Sequence, residues 1–165
     1  MLRGQAAVEL LAYAAFFFAV FVTAVAVFLQ VQTQELTRSE NAYAQEIAYG
    51  FADSIHTAFV AGPGFVESVS VPKDILGRRY WIMVSYSPNA ATSETGIVYV
   101  ELLSNGKNSS FSAPTATADY TFTAAGTFVT NRTTANGKEF VAIDAAQGHV
   151  INITNENGRI RIMKG

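Results

Sequence analysis

The chain of 165 residues contains no cysteine, which excludes disulfides and thiolate metal sites. A domain built this way depends on core packing, hydrogen bonding, glycans or assembly. Histidine is almost as scarce: His56 and His149 are the only two, and no short-range pair has metal-ligand spacing. Charged residues make up only 15%. They are dispersed, with a net charge of −2 and no basic stripe of the kind that neutralises phosphates, so nucleic acid is not an expected partner. There is no G-x-S-x-G elbow, no phosphate-cradling P-loop and no G-x-G-x-x-G. Glu139 and Asp144 could act as paired carboxylates only if folding brought them to a third group. No catalytic residue, metal ligand or cofactor is expected, and the chain does not read as an enzyme. Glycine and proline are missing between Gln5 and Tyr49, so nothing along that stretch stops a helix.

What the chain does have is apolar surface, concentrated at one end. Hydrophobic residues reach 50%, and from Leu10 to Leu29 there is no charge at all. A helix over that run spans roughly 30 Å, the thickness of a bilayer's hydrocarbon core. A buried helix of a soluble protein rarely runs so far without a polar face. Arg3 and the terminal amine lie before the span and Glu35 is the first charge after it. That asymmetry places the N-terminus in the cytoplasm and residues after about Val31 outside. An ordinary secretory signal has an apolar core of only about 7–15 residues and then a small-residue cleavage site. The run here is longer and continues into further helical pattern, so it is expected to be retained.

Arg3-Gly4-Gln5-Ala6-Ala7-Val8-Glu9-Leu10-Leu11 resembles the class III signal peptide of archaeal type IV pilins, and the match extends to about Leu29. In that family a prepilin peptidase cuts after the small residue that ends a short charged leader. The resemblance implies cleavage between Gly4 and Gln5, which puts Glu9 at the fifth position of the mature chain, where the family usually has Glu. It further implies that Glu9 meets the new α-amine of a neighbouring copy during assembly. The protein would then be inserted in the membrane as a precursor and displayed on the cell surface as an extracellular filament serving adhesion or attachment. Its partners would be other copies of itself, the peptidase and the pilus assembly machinery. Beyond Leu29 only the architecture matches the family.

Past the apolar run, Leu36, Tyr43, Ile47, Phe51, Ile55 and Phe59 recur at helical spacing, with Gln32, Glu35, Arg38, Glu40, Glu46 and Asp53 at other positions. This predicts an amphipathic helix with one apolar stripe laid against a core. It ends at Gly62-Pro63-Gly64, a helix stop. The division expected is therefore a leader over 1–4 and one long helix over 5–62, with 6–31 as membrane or filament core and 32–60 amphipathic. Continuous from Gln5 to Val60, that helix measures about 80 Å at 1.5 Å per residue. Phe16, Phe17, Phe18, Phe21 and Phe28 project all round its first half, which needs lipid or other copies as surroundings. His56, within the stripe's helix, reads as a packed or solvated side chain and not as a base.

From Phe65 the helical period gives way to short β-branched and aromatic runs, at 65–71, 78–86, 96–103, 119–130, 138–143, 149–154 and 159–163. In the second, Tyr80, Ile82, Val84 and Tyr86 share one face, with Trp81 and Met83 on the other. Asn105-Gly106, Asn136-Gly137 and Asn157-Gly158 are tight-turn dipeptides. A two-residue turn at the last pairs Glu156 with Arg159, Thr154 with Arg161 and Ile153 with Ile162. Ile151, Ile153, Ile160 and Ile162 then line one face; Asn152, Thr154, Arg159 and Arg161 line the other. About seven strands over 65–165 predict a sandwich-like, all-β extracellular domain, so the fold class as a whole is α+β. Phe111–Thr134, heavy in Ser, Thr and Ala, reads as exposed and weakly packed. Three N-x-[ST] sequons at Asn108, Asn131 and Asn152 are candidate N-glycosylation sites.

Two classes of function fit this reading. One is a structural filament subunit, major or minor, with helices bundled inside and β domains outward. The other is a single-pass anchored module that binds a surface partner as one copy. Processing at Gly4–Gln5 separates them, because an anchored monomer does not need it.

Overall fold

A computed structural model describes residues 2–86, 96–103, 109–117, 119–122, 129–133, 139–147 and 150–165; the side chains of 2–6, 86, 129–133 and 139 are outside the description. Among the described residues one long helix, α1 (Leu2–Ala61), precedes nine strands. They are β1 (Val66–Ser70), β2 (Tyr80–Tyr86), β3 (Gly96–Leu102), β4 (Ser109–Thr115), β5 (Tyr120–Phe122), β6 (Val129–Thr133), β7 (Glu139–Asp144), β8 (Val150–Glu156) and β9 (Arg159–Lys164). The strands form two sheets, ordered β1-β8-β9-β5 and β4-β3-β2-β7-β6. Every pairing is antiparallel except β5 with β9. The arrangement is α+β, as expected. The chain divides into two compact units, Met1–Ser39 and Glu40–Gly165.

In the second unit a single core draws on the helix and on both sheets. Strand alternation supplies most of it. Tyr80, Ile82 and Val84 of β2 are fully buried while Trp81 and Met83 are only half-buried. Val98, Val100 and Leu102 repeat the pattern on β3. The β8–β9 hairpin has the register read from its sequence, with Ile153 opposite Ile162, Thr154 opposite Arg161 and Glu156 opposite Arg159. Ile151, Ile153, Ile160 and Ile162 are all sealed from solvent. Asn157 and Gly158 both take positive φ, 56° and 89°, the conformation a two-residue type I′ turn requires. The ion pairs differ from the direct cross-strand pairing: Arg161 reaches Glu156 at 2.7 Å, and Arg159 turns instead to Asp119 at 2.9 Å. The Asn105-Gly106 and Asn136-Gly137 dipeptides lie outside the described residues, but the strands flanking them, β3 with β4 and β6 with β7, pair antiparallel.

The helical stripe needs correction. Leu36 and Tyr43 are exposed, whereas Ala44, Ala48, Ala52 and Ala58 are buried beside Phe51 and Ile55. Small side chains let the helix backbone approach the strands closely, so the contact face runs through alanines and leaves two of the larger residues outside. Glu40, buried at the start of this unit, is held by Arg78 at 3.1 Å. At the other end Gly62 and Gly64 adopt φ of 84° and 92°, and the left-handed residue just after Ala61 terminates the helix. Asn155, on the core face of β8, donates from Nδ2 to the Ala58 carbonyl at 2.9 Å, satisfying one of the carbonyls a helix end leaves unpaired.

The Ser/Thr-rich segment also departs from expectation. Ala113, Thr115, Thr117 and Tyr120 are buried, and 109–115 forms β4, an edge strand that tolerates Pro114. The Thr115 hydroxyl donates to the Thr117 carbonyl at 2.9 Å, and the Tyr120 hydroxyl bonds both Thr115 and that same carbonyl. Gly96 lies against this cluster, where a Cβ would stand 2.4–2.6 Å from three oxygens. The run 119–130 is not one strand: Tyr120–Phe122 joins the first sheet beside β9 and Val129–Thr133 joins the second beside β7.

Candidate functional site: an uncovered apolar helix

The first unit is helix alone. From Ala7 to Ser39 every residue is exposed, including large apolar side chains that are 40–72% exposed between Val8 and Val31. The helix is long and apolar enough to cross a membrane, and none of its apolar window is buried. Phe16, Phe17, Phe18, Phe21 and Phe28 are each at least 60% exposed. Phe16 and Phe17 meet edge to face, with ring centroids 5.9 Å apart. Between Phe16 and Phe28 a shallow hollow runs over Ala19, Thr23 and Ala24. The Thr23 hydroxyl donates to the Ala19 carbonyl at 2.8 Å, so the one polar side chain in the hollow is satisfied within the helix and can face hydrocarbon. Thr33 and Thr37 do the same with Leu29 and Thr33.

The Gly4–Gln5 bond lies in the first turn of α1, which begins at Leu2. The first four N–H groups of a helix have no partner within it, so that turn is the least strongly held of the helix. Glu9 sits just inside the apolar segment and is exposed. A carboxylate at the centre of a spanning helix costs on the order of 2.5–3.5 kcal/mol, and less near the interface. Its place immediately before the uncharged run Leu10–Leu29 keeps it at the cheaper end.

Of the three sequons, Asn152 is described fully. It lies in β8 between β1 and β9, half-buried, with its Oδ1 accepting from the Ser68 hydroxyl at 2.8 Å. Asn131 is in β6, on the edge of the other sheet, and its side chain, like the whole of Asn108, lies outside the described residues. Asn131 and Asn152 lie in different sheets.

Residues considered for chemistry are dispersed or already engaged. His56 is exposed on the helix; His149 is outside the described residues. Asp144 accepts from Arg79 at 2.9 Å and from the backbone N–H of Ala146 at 3.0 Å, capping the turn after β7. The side chain of Glu139, five residues earlier on that strand, lies outside the described residues. Among the described residues no three His, Asp or Glu side chains converge as a metal site would need. Burial raises the Tyr120 phenol to about 12, and burial beside Asp74 pushes Tyr80 up as well. Both hydroxyls are bonded within the fold, Tyr80 to the Pro72 carbonyl, and neither lines an open cleft. The buried Asn155 and the Thr115–Tyr120 cluster escaped sequence reasoning; Asn155 could have been found because it falls in register with Ile151 and Ile153. No known protein family, curated protein or solved structure matches this chain.

Proposed function

We propose that the chain is the structural subunit of an extracellular filament of the archaeal type IV pilus kind, inserted in the membrane as a precursor and assembled through its N-terminal helix. The observation that carries this reading is the apolar surface of residues 7–31, exposed on every side next to a β-rich unit that has a closed core of its own. Such a surface is stable only in lipid or against further copies of itself. The leader-like Arg3-Gly4-Gln5 and the Glu9 spacing favour copies over lipid, because a permanent anchor gains nothing from losing four residues. In this reading the Phe side chains supply the packing, Glu9 receives a neighbour's α-amine, and the β domain faces outward, carrying the candidate glycosylation sites Asn108, Asn131 and Asn152.

Mass analysis of the protein from cell surfaces tests the reading directly. The expected N-terminal residue is Gln5, and Gly4→Arg should block processing and leave the chain in the membrane. A mature surface protein that still begins at Met1 would favour the single-pass anchored module instead.

A further inference from the structure

Within the second unit, Tyr43, Ile47 and Gly50 on the flank of α1 face Val69, Pro72 and Leu76 across an apolar groove of about 520 Å³. Two of these residues sit where the chain itself has no use for them. Gly50 interrupts a helix interior, where glycine is less stable than alanine, yet no described atom lies within 4 Å of where its Cβ would stand. Leu76 occupies the left-handed region, φ 52°, which a leucine adopts only under strain. It is 52% exposed at the tip of the Ile75–Arg78 turn. The only charged residues lining the groove are Glu46 and Asp74, so an anionic ligand is disfavoured and an uncharged apolar body fits.

We propose that this groove receives the Phe17–Phe21–Phe28 ridge of a second copy of the chain, approaching the helix backbone at Gly50. The inference rests on the filament reading and names a contact within it. At 100° per residue the three phenylalanines fall within roughly 40° of one another, so they form one ridge. They are exposed and uncharged, and they need an apolar cover that their own unit does not supply. Small residues at a helix surface permit close approach of a second helix, which is the use that the open space over Gly50 offers. The contact is heterologous: each copy that fills a neighbour's groove keeps its own groove open for another. Repetition of such a contact extends a polymer and does not close a dimer.

The absence of cysteine makes the test clean. Full-length chains carrying Gly50→Cys together with Phe21→Cys, oxidised after assembly and run without reductant, are expected to give a ladder of dimers, trimers and higher species. Tyr49→Cys with Phe21→Cys is the control, because Tyr49 is exposed but lies off the groove. Gly50→Leu, which fills the groove floor with a better helix former, should abolish filaments while the β-rich circular dichroism spectrum persists. Normal filaments with no Gly50 ladder, with equal ladders from both pairs, or from Gly50→Leu overturn the contact and leave the filament reading standing. Correctly processed native chains that never form filaments overturn the filament reading and this contact with it.

Discussion

Asn155 ties the end of the helix to the β8–β9 hairpin. At 2% exposure its Nδ2 donates to Ala58 and its Oδ1 accepts from Gly158 N–H. Its backbone accepts from Gly64 and donates to Phe65. Asn155→Ala removes both side-chain bonds: the Gly158 N–H, in an exposed turn, can turn to solvent, whereas the buried Ala58 carbonyl is left without its partner. The expected loss is about 2–4 kcal/mol of stability, measurable by urea unfolding of the folded domain. Tyr120 predicts a pH dependence. Its phenol titrates near 12 in the fold and near 10 in an unfolded chain. Between those values the unfolded state has lost the proton and the folded state keeps it, so stability is intact below about pH 10 and falls as pH rises toward 12. The loss should reach on the order of 2 kcal/mol, with Tyr80 contributing in the same direction. Alkaline denaturation of the native domain against Tyr120→Phe checks this: the variant should start less stable at neutral pH, without its hydroxyl bonds, and show a shallower alkaline slope.

At the scale of the element, α1 is one helix under two rules. Before Ser39 its side chains are bulky and unsorted around the axis; after Glu40 they are sorted, with alanine turned inward. Ala48, fully buried, has no room for a larger side chain, so Ala48→Leu should destabilise the domain by about 1–3 kcal/mol through overpacking. Leu36→Ala, on the exposed side, should change it little; thermal unfolding of the two variants separates the roles. This contrast also shows where sequence reading stops. The β8–β9 hairpin was legible because a two-residue period and an Asn-Gly turn specify one register between them. The uncovered helix was legible because twenty residues without a charge leave few alternatives. The contact face of the stripe was not, because alanine is apolar without bulk, and a search for large residues passes over the small ones that let backbones approach. The Ser/Thr-rich stretch was misread for a related reason. Its hydroxyls bond to one another and to backbone inside the fold, so polarity of composition did not mean exposure. Nor could local pattern reveal that 119–130 crosses from one sheet to the other, since that depends on partners distant in sequence.

For the whole molecule, the buried core and the exposed apolar helix belong to different units. Glu40–Gly165 contains the entire buried core, so a fragment beginning at Leu36 should be soluble, β-rich and monomeric in sizing experiments; persistent oligomers of it would move the assembly contacts into the β domain. The complementary experiment keeps the full chain and alters the helix. Phe17 and Phe21 are 67% and 65% exposed, and each gains about 1.5–3 kcal/mol when its side chain is buried. In a filament that gain recurs at every subunit, so small losses per contact multiply along the polymer. Phe17→Ser with Phe21→Ser should therefore abolish filaments and leave the β domain folded, since neither residue belongs to its core. Glu9→Gln should slow or weaken assembly less, because it removes only the proposed pairing with a neighbour's α-amine and keeps the packing. Electron microscopy of both variants, with circular dichroism as the folding control, measures the difference. The ordering of the two defects is the decisive result. If Glu9→Gln is the more damaging, docking of the α-amine governs growth and the apolar surface is secondary. If the double serine variant assembles normally, the helix serves only to anchor the chain in lipid.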